Sequence, residues 1–496
     1  MKYISLLIFL MCFASQNGAK TYYVDAEFGN DNQLGLSPAT AWQTLEKVNQ
    51  VELKPGDRIL FKKGLTFCGN LNISAEGSFL SPITIASYGK STQKPIIKGE
   101  GKRRYAVRIY NSSYLMIKDL EITNTGISPQ AYRCGISVES VDYGESKDIT
   151  IKNLTIREVN GSIIKKDGAG CGIFIKNGGK QKRSNFRNLK IINNHILRCQ
   201  RNGIIWEAYS SRSNWFPSKH TQVIGNVIEQ VPGDGIVPIG CDSTRIAYNL
   251  VTNAPDVMPD SEAAAGIWPW SCDNTTIEFN EVSHQRAPWD AQGFDSDWNC
   301  TNTVIQYNYS HDNYGGLALA CNNGNTNADF NIGNQNTIIR YNLSVNDGLR
   351  PRKTRGKYFS PSLHLAGPVL NTLIENNIIL IHKKTRNQLD SRFLVLDDWG
   401  GFPDKTTIRN NLFFTQTPSG FLLTKSTRNS IEKNRFLGDF QLKNLQNQNF
   451  KIKDRKLKRL YRKSFKSILS QKKIANGVEL NYISKDDVVK IFDDIR

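Results

Sequence analysis

The sequence predicts an all-β chain wound as a solenoid, a parallel β-helix of about ten or more coils. Three observations predict it: a short motif recurs once per coil, a second strand motif recurs in phase with it, and cysteines recur at a fixed offset from the first. The first motif is a hydrophobic residue, any residue, Asn or Asp, a variable residue and a further hydrophobic or small one. It reads IKDLEI, IKNLTI, INNHIL, IGNVIE, AYNLVT, EFNEVS, QYNYSH, RYNLSV, ENNIIL and RNNLFF. Its polar rungs are Asp119, Asn153, Asn194, Asn226, Asn249, Asn280, Asn308, Asn342, Asn377 and Asn411, spaced by 23 to 41 residues. Short β-type segments at that period, with no helical stretch between them, indicate turns that stack on one another. An Asn buried at each corner can bond the neighbouring backbone and the Asn above and below, which is the role expected for the whole ladder.

The second series reads GISVES from Gly135, GIFIKN from Gly172, GIIWEA from Gly203, GIVPIG from Gly235, GIWPWS from Gly266, GFDSDW from Gly293 and GLALAC from Gly316. Two strands per coil at matching offsets suit a parallel β-helix, and the opening Gly is expected at a sharp corner with positive φ. The third series is Cys241, Cys272 and Cys300, each eight residues before Asn249, Asn280 and Asn308. Equivalent residues on stacked strands lie about 4.8 Å apart, so these cysteines are expected as an inward column of reduced, buried thiols.

The ends divide the chain further. Residues 1–19, within MKYISLLIFLMCFASQNGAK, combine Lys2, an apolar run from Ile4 to about Ala14 and small polar residues, the pattern of an export signal. A secreted or periplasmic protein is expected. The run is too short for a membrane anchor, no later stretch is long enough, and bulky Phe9, Leu10 and Met11 before Cys12 argue against a lipoprotein. Residues 20–60 are expected to form an N-terminal cap and first coil, 61–450 the β-helix, and 451–496 a basic, helical C-terminal segment. The formal charge is +19, and residues 451–473 hold eleven Lys or Arg against one Asp, a local +10. Aromatics are not interleaved with these basic residues, which excludes a nucleic-acid surface and leaves a solvated helix over one end of a monomeric solenoid.

The segment TYYVDAEFGNDNQLGLSPATAWQTLEKVNQVELKPGDRILFKKG resembles the opening of secreted bacterial right-handed parallel β-helix proteins, in which PGDRILFKKG forms the first coil beneath a capping helix, here AWQTLEKVNQ. GFDSDWNCTNTVIQYNYSHDNYGG is similar to a segment of β-helix proteins encoded with polysaccharide-degrading systems. The resemblance covers about residues 21 to 415. It implies a single-stranded right-handed parallel β-helix and a carbohydrate-active enzyme of glycoside hydrolase or polysaccharide lyase type. No lyase or polygalacturonase catalytic motif carries over residue by residue.

Alternation along each Gly-led strand places the residue after Gly inward and the next outward. The outward pairs become Ser137 and Glu139, Phe174 and Lys176, Ile205 and Glu207, Val237 and Ile239, Trp268 and Trp270, Asp295 and Asp297, then Ala318 and Ala320. Two indoles one rung from two carboxyls suit a sugar ring, whose C–H face packs on an indole while the acids reach a glycosidic oxygen. Carboxyls two apart on one strand face start from Cβ atoms about 6.5 to 7 Å apart and splay into the inverting-glycosidase range. The expected catalytic set is Asp295 and Asp297, joined by Asp234 in PGDGI and by His311. Trp268, Trp270, Arg286, His284, Trp289, Asp290 and Tyr314 are expected to bind a polysaccharide or oligosaccharide, including acidic ones. No cofactor is required for hydrolysis. A lyase acting on a uronate polymer such as pectin, alginate or ulvan would instead use Asp295 and Asp297 as Ca²⁺ ligands, with Arg286, His284, His311 or Tyr314 as base. A third reading keeps the indoles and drops the chemistry, leaving a glycan-binding β-helix.

Overall fold

Each coil begins with a short strand whose central aliphatic side chain faces inward. Ile59, Ile85, Ile117, Ile151, Ile191, Val223, Ile246, Ile277, Ile305, Ile339, Ile374 and Ile408 stand in register, one per coil. Each is at most 1 % exposed. β-Branched chains fit such a pleated wall, and each contributes roughly 1.5–3 kcal/mol by leaving water. In this computed structural model, which describes residues 18–324, 330–381, 392–423, 428–440, 473–475, 477–480 and 486, these strands form one parallel sheet of 14 strands from Thr21–Val24 to Ser430–Glu432.

A second parallel sheet runs from Thr66–Cys68 to Arg435–Phe440. The third starts at Leu71–Ile73 and climbs through Tyr105–Tyr110, Cys134–Val141, Cys171–Gly178, Asn202–Glu207 and Ile236–Val237. Single bridges at Ile267 carry it on to Phe294–Ser296, Ala318–Cys321, Leu363–Ala366 and Arg392–Asp397. The fold is a parallel β-helix, with the core where the three inner faces meet.

The Asn ladder occupies the corner between the first two sheets. From Asn194 through Asn226, Asn249, Asn280, Asn308, Asn342, Asn377 and Asn411 to Asn434, each Nδ2 donates to the Oδ1 of the next Asn at 2.9–3.0 Å. The same Oδ1 accepts the backbone N–H of the rung before it, as from Asn249 to Asn280 at 2.9 Å. The first two expected rungs are displaced by one residue. Asp119 and Asn153 sit at positive φ just outside the ladder, and Leu120 and Leu154 fill the ladder position. Leu154 N–H donates to Asn194 Oδ1 at 3.0 Å, so a Leu rung passes its backbone donor to the first Asn. Asn434 extends the ladder one rung beyond the expected set.

The Gly column serves close approach, not the expected corner with positive φ. None of Gly203, Gly235 and Gly266 lies in that region; a Cβ on them would stand 2.4–2.5 Å from the carbonyl oxygen of the next Gly in the column. GLALAC is also displaced by one. Phe294 pairs with Ala318, so Leu319 and Cys321, rather than Ala318 and Ala320, continue the outward columns of Asp295 and Asp297. The doublet Gly315–Gly316 causes the shift, because Gly315 packs on the Asp290–Ala291 backbone and Leu317 takes the position of Gly293. Cys241, Cys272 and Cys300 are free, buried thiols, and Cys241 N–H points at Cys272 Sγ at 3.3 Å.

The expected capping helix is a single turn, Leu45–Val48, with Thr44 as N-cap. Trp42 is drawn into a bridge with Val24, which keeps the chain before Thr44 extended. The expected export signal falls mostly outside the described residues, as does most of the basic C-terminal segment. Of that segment the structure describes Lys473–Ala475 paired with Val478–Leu480 as an antiparallel hairpin and the helical residue Asp486.

The ladder makes a graded prediction. Asn280→Ala leaves the Asn249 backbone N–H without its acceptor and breaks the amide chain between Asn249 and Asn308 in the middle of the stack, a cost of about 2–3 kcal/mol, whereas Asn434→Ala removes only the last rung, with no Asn beyond it. Thermal melts are expected to show a clearly larger loss for Asn280→Ala; equal losses would contradict a cooperative ladder.

Candidate active site

The site lies on the outer face of the third sheet. Ile267 bridges Ile236 on one side and Phe294 on the other, and all three are fully buried in the core. Alternation then turns Trp268 and Asp295 outward, with Trp270 and Asp297 two residues further along. This face is not open to solvent, because three loops fold over it. Ala263–Ala264 pairs with Trp289–Asp290 as a two-stranded flap, and the loop carrying Lys165 lies against Trp268, its ammonium 5.4 Å from the ring centre. The result is a cavity of about 270 Å³, walled by Trp268, Trp270, Trp298 and Trp399 and carrying Asp234, Asp290, Asp295 and Asp297. Trp268 is only 6 % exposed and Asp295 only 4 %.

The four carboxyls differ in what their oxygens touch. Asp234 Oδ2 accepts from buried Arg201 Nη1 at 2.7 Å, and its Oδ1 accepts from Trp268 Nε1 and the Ala265 N–H, each at 3.0 Å. Asp234 is therefore a paired anion that sets the tilt of an indole wall. Asp297 Oδ1 accepts from the Trp298 N–H at 2.6 Å and from Cys321 Sγ at 3.1 Å. Burial still raises its pKa, against those donors and the Lys165 charge, which lower it. Asp295 Oδ1 is buried without a hydrogen-bond partner. Burial, reinforced by Asp290 and Asp297, pushes that carboxyl well above the usual range, so it stays protonated. Asp290 is pushed up to about 6 by burial and then by Asp297 and Asp234.

No protein-family model matches the chain. In sequence it is similar to a lacto-N-biosidase of Bifidobacterium longum, 26 % identical over 422 aligned residues, covering 66 % of this chain and 26 % of that protein. The chain thus spans about a quarter of the length of that curated relative. A shorter match, 31 % identical over 68 residues, covers 14 % of the chain and 11 % of an alpha-1,3-galactosidase A of Akkermansia muciniphila. Among solved structures, a GH136 lacto-N-biosidase from Eubacterium ramulus superposes with a TM-score of 0.63 at 21 % identity, over 84 % of this chain and 68 % of that one. The fold is that of the parallel β-helix carbohydrate-active enzymes.

Of the residues singled out in the sequence, this β-helix gathers Asp234, Trp268, Trp270, Asp290, Asp295 and Asp297 around one cavity. His311, His284, Arg286, Trp289 and Tyr314 do not line it. His311 ends a strand of the second sheet, where Glu281 and Asp312 hold it at 3.1 and 3.0 Å and raise its pKa to about 9 despite burial. His284 packs edge-on to it at 5.7 Å. Trp289 stacks on Phe359 at 6.1 Å, and Tyr314 reaches Asp256. Sequence reasoning missed Lys165, Trp298, Cys321 and Trp399, together with His364 and Asp397, which bond at 3.3 Å on the rungs beyond Leu319 and Cys321. The alternation in LHLA and LVLD held the signal for the last two, hidden by the one-residue phase error at GLALAC.

Among the described residues no group of three or more His, Cys, Asp or Glu side chains is arranged to hold a metal. The donor set suits Ca²⁺ poorly, since Asp295 and Asp297 are flanked by Leu319, Cys321 and indoles, where that ion takes six to eight oxygens.

Holding a buried proton on Asp295 costs stability in a definite pH window. Below about pH 4 the side chain is protonated in both folded and unfolded chains, and no penalty arises. Above that, the unfolded chain ionises while the fold keeps its proton, so stability falls as pH rises toward the raised folded value. Asp295→Asn is therefore expected to raise Tm by about 1–3 °C at pH 7, with the gain vanishing near pH 3.5. A gain that persisted in acid would sink this assignment.

Proposed function

We propose that the chain is an exported glycoside hydrolase that cleaves a terminal sugar unit from a glycan in the Trp-walled cavity. The observation that carries this reading is the grouping of three carboxyls with no ion-pair partner among the described residues, Asp290, Asp295 and Asp297, beside four indoles in a space of about 270 Å³. Similarity to lacto-N-biosidases supports a hydrolase acting on such a substrate, and the absence of His311, His284, Arg286 and Tyr314 from the cavity lining weighs against the lyase alternative. Among the described residues no helix is long and apolar enough to cross a membrane.

The chemistry assigns the acids by environment. Glycoside cleavage needs a proton for the leaving oxygen and a negative charge beside the anomeric carbon as it turns oxocarbenium-like. Asp297, whose oxygen receives two donors that favour its charged form, is the anion beside the anomeric carbon. Asp290, at about 6, can give its proton and recover it at working pH, as a cycling acid must. Burial and the neighbouring Asp290 and Asp297 favour the neutral form of Asp295. It donates a hydrogen bond to the substrate from the cavity floor, as a neutral carboxylic acid can in an apolar site. With Asp290 as the acid, the strand spacing of Asp295 and Asp297 no longer sets the stereochemical outcome, which NMR of the first-formed anomer reads directly. Trp268 and Trp270 supply the apolar faces for the ring, and desolvation by the flap strengthens the electrostatics.

The test is a panel containing 4-nitrophenyl lacto-N-bioside, α-galactosides, oligosaccharides, pectin, alginate and ulvan, read by nitrophenol, reducing ends and ultraviolet absorbance. New reducing ends without unsaturated uronates are expected. Asp290→Asn and Asp297→Asn should each lose about 10³-fold or more in kcat/KM, and Asp295→Asn, which keeps a neutral donor, only about 10- to 100-fold. kcat/KM should fall above about pH 6 as Asp290 loses its proton. Ultraviolet-absorbing products would establish the lyase instead, and retention on a glycan without any product would establish a binding protein.

A further inference from the structure

The corner from Ala287 to Ala291, which brings Asp290 to the cavity, has a backbone that L-residues seldom adopt. Asp290 and Ala291 are consecutive residues at positive φ, 58° and 67°, with no glycine to relieve them. Each costs of order 1 kcal/mol or more, and such strain persists only where the surroundings over-determine it. Arg350 is the principal surrounding. It arrives from the connection that precedes Leu363–Ala366 and is 1 % exposed. Its Nη1 donates to the carbonyl oxygens of Ala287, at 2.9 Å, and Pro288, its Nη2 to that of Asp290 at 3.2 Å, and its Nε to Ser360 Oγ at 3.1 Å. A buried guanidinium ordinarily spends its donors on a carboxylate. Here three carbonyls of one turn take them. On the other side of the turn Gly315 N–H donates to Ala291 O at 3.0 Å, and a Cβ on Gly315 would stand 2.3 Å from Asp290 O. Buried Arg133, at an earlier corner, also donates to carbonyls, of Gly101, Ser128 and Asn160, but these come from separate segments, whereas Arg350 ties together three carbonyls of the single turn from Ala287 to Asp290.

We propose that Arg350 is a positioning residue for catalysis: it fixes the strained corner so that the Asp290 carboxyl enters the cavity, and it places a permanent positive charge behind that carboxyl. The inference rests on the reading of Asp290 as the cycling acid. The other charges facing Asp290 are Asp234, Asp295, Asp297 and Lys165, and those around Arg350 are Asp256, Arg352 and the Tyr314 phenol; all stay unchanged in the variants below.

The experiment compares Arg350→Met and Arg350→Lys in the full chain, with kcat, KM and pH profiles on the panel oligosaccharide that the wild-type enzyme cleaves, and with Tm and active-enzyme titration to normalise for folding. Arg350→Met removes charge and clamp together. Its kcat should fall about 10- to 100-fold, and the basic limb of kcat/KM should move up by about half to one pH unit, because Asp290 keeps its proton longer without the cation. Arg350→Lys keeps the charge and loses the fork. Its limb should stay within about 0.2 unit of wild type while kcat falls about 10-fold. A purely structural Arg350 would lower Tm and leave both the normalised kcat and the limb unchanged, which overturns the proposal, as does wild-type kcat in Arg350→Lys. Should Arg350→Met fail to fold, the kcat of Arg350→Lys decides alone. Full activity in Asp290→Asn would overturn the functional reading itself, and the inference with it.

Discussion

Everything in this molecule depends on the stacking of one coil on the next at the strand spacing, held in phase by the buried Asn ladder. Each rung satisfies its own amide, its neighbour's amide and a main-chain donor at once, as at Asn249 and Asn280. A slip of one residue anywhere along the stack would leave all of these unpaired in the interior and turn every side chain beyond it to the other face. That penalty makes the outward direction of Asp295 a property of the whole solenoid and not of its own short strand. The aliphatic column from Ile59 to Ile408 adds the bulk of the apolar burial, but aliphatic packing alone tolerates exchange; the amide ladder is what specifies register.

On that frame the cavity is expensive. Three carboxyls share a space lined by indoles, a leucine and a thiol, and each has its proton affinity raised because water is excluded and its neighbours are acids. The one acid that is paired, Asp234, shows the alternative: with buried Arg201 beside it, it becomes a scaffold for Trp268. The contrast between Asp234 and the other three separates support from chemistry on physical grounds, and it follows from which loop reaches each residue. Local strain at Asp290 and Ala291 belongs to the same pattern, in which conformational and electrostatic costs gather where a substrate would bind.

Much of the fold was legible because a solenoid repeats its physics. Period, Gly position and the Cys offset each report one coil, and their agreement identified a stacked parallel sheet. The errors share a cause. At Asp119 and Asn153 a polar residue stands one place outside a ladder position filled by Leu120 and Leu154, and at Gly315–Gly316 a doublet offers two ways to align the strand; in both cases the motif letters fit and the register does not. Within the site, strand alternation placed Trp268, Trp270, Asp295 and Asp297 on one outer face, since that depends on neighbouring coils alone. Lys165 and Arg350 were not legible, because they arrive from loops 60 to more than 100 residues away in sequence with no periodic signal, and the flap pairing of Ala263–Ala264 with Trp289–Asp290, though close in sequence, carries no repeat motif. Nearness in sequence to GFDSDW put the histidines on the same coils, but His311 ends a strand of the second sheet and His284 directly follows one, so neither lines the cavity.

The claim that matters most is spatial, that the outward carboxyls and the indoles form the place where a sugar is held. A crystal structure of the Asp297→Asn protein soaked with an oligosaccharide substrate tests it most directly. The account predicts a sugar ring inside the cavity, its C–H face on Trp268 or Trp270, with the glycosidic oxygen within hydrogen-bond reach of Asp290. Sugar bound instead along the second sheet near His311, or Asp295 and residue 297 found facing the solenoid interior, would contradict it.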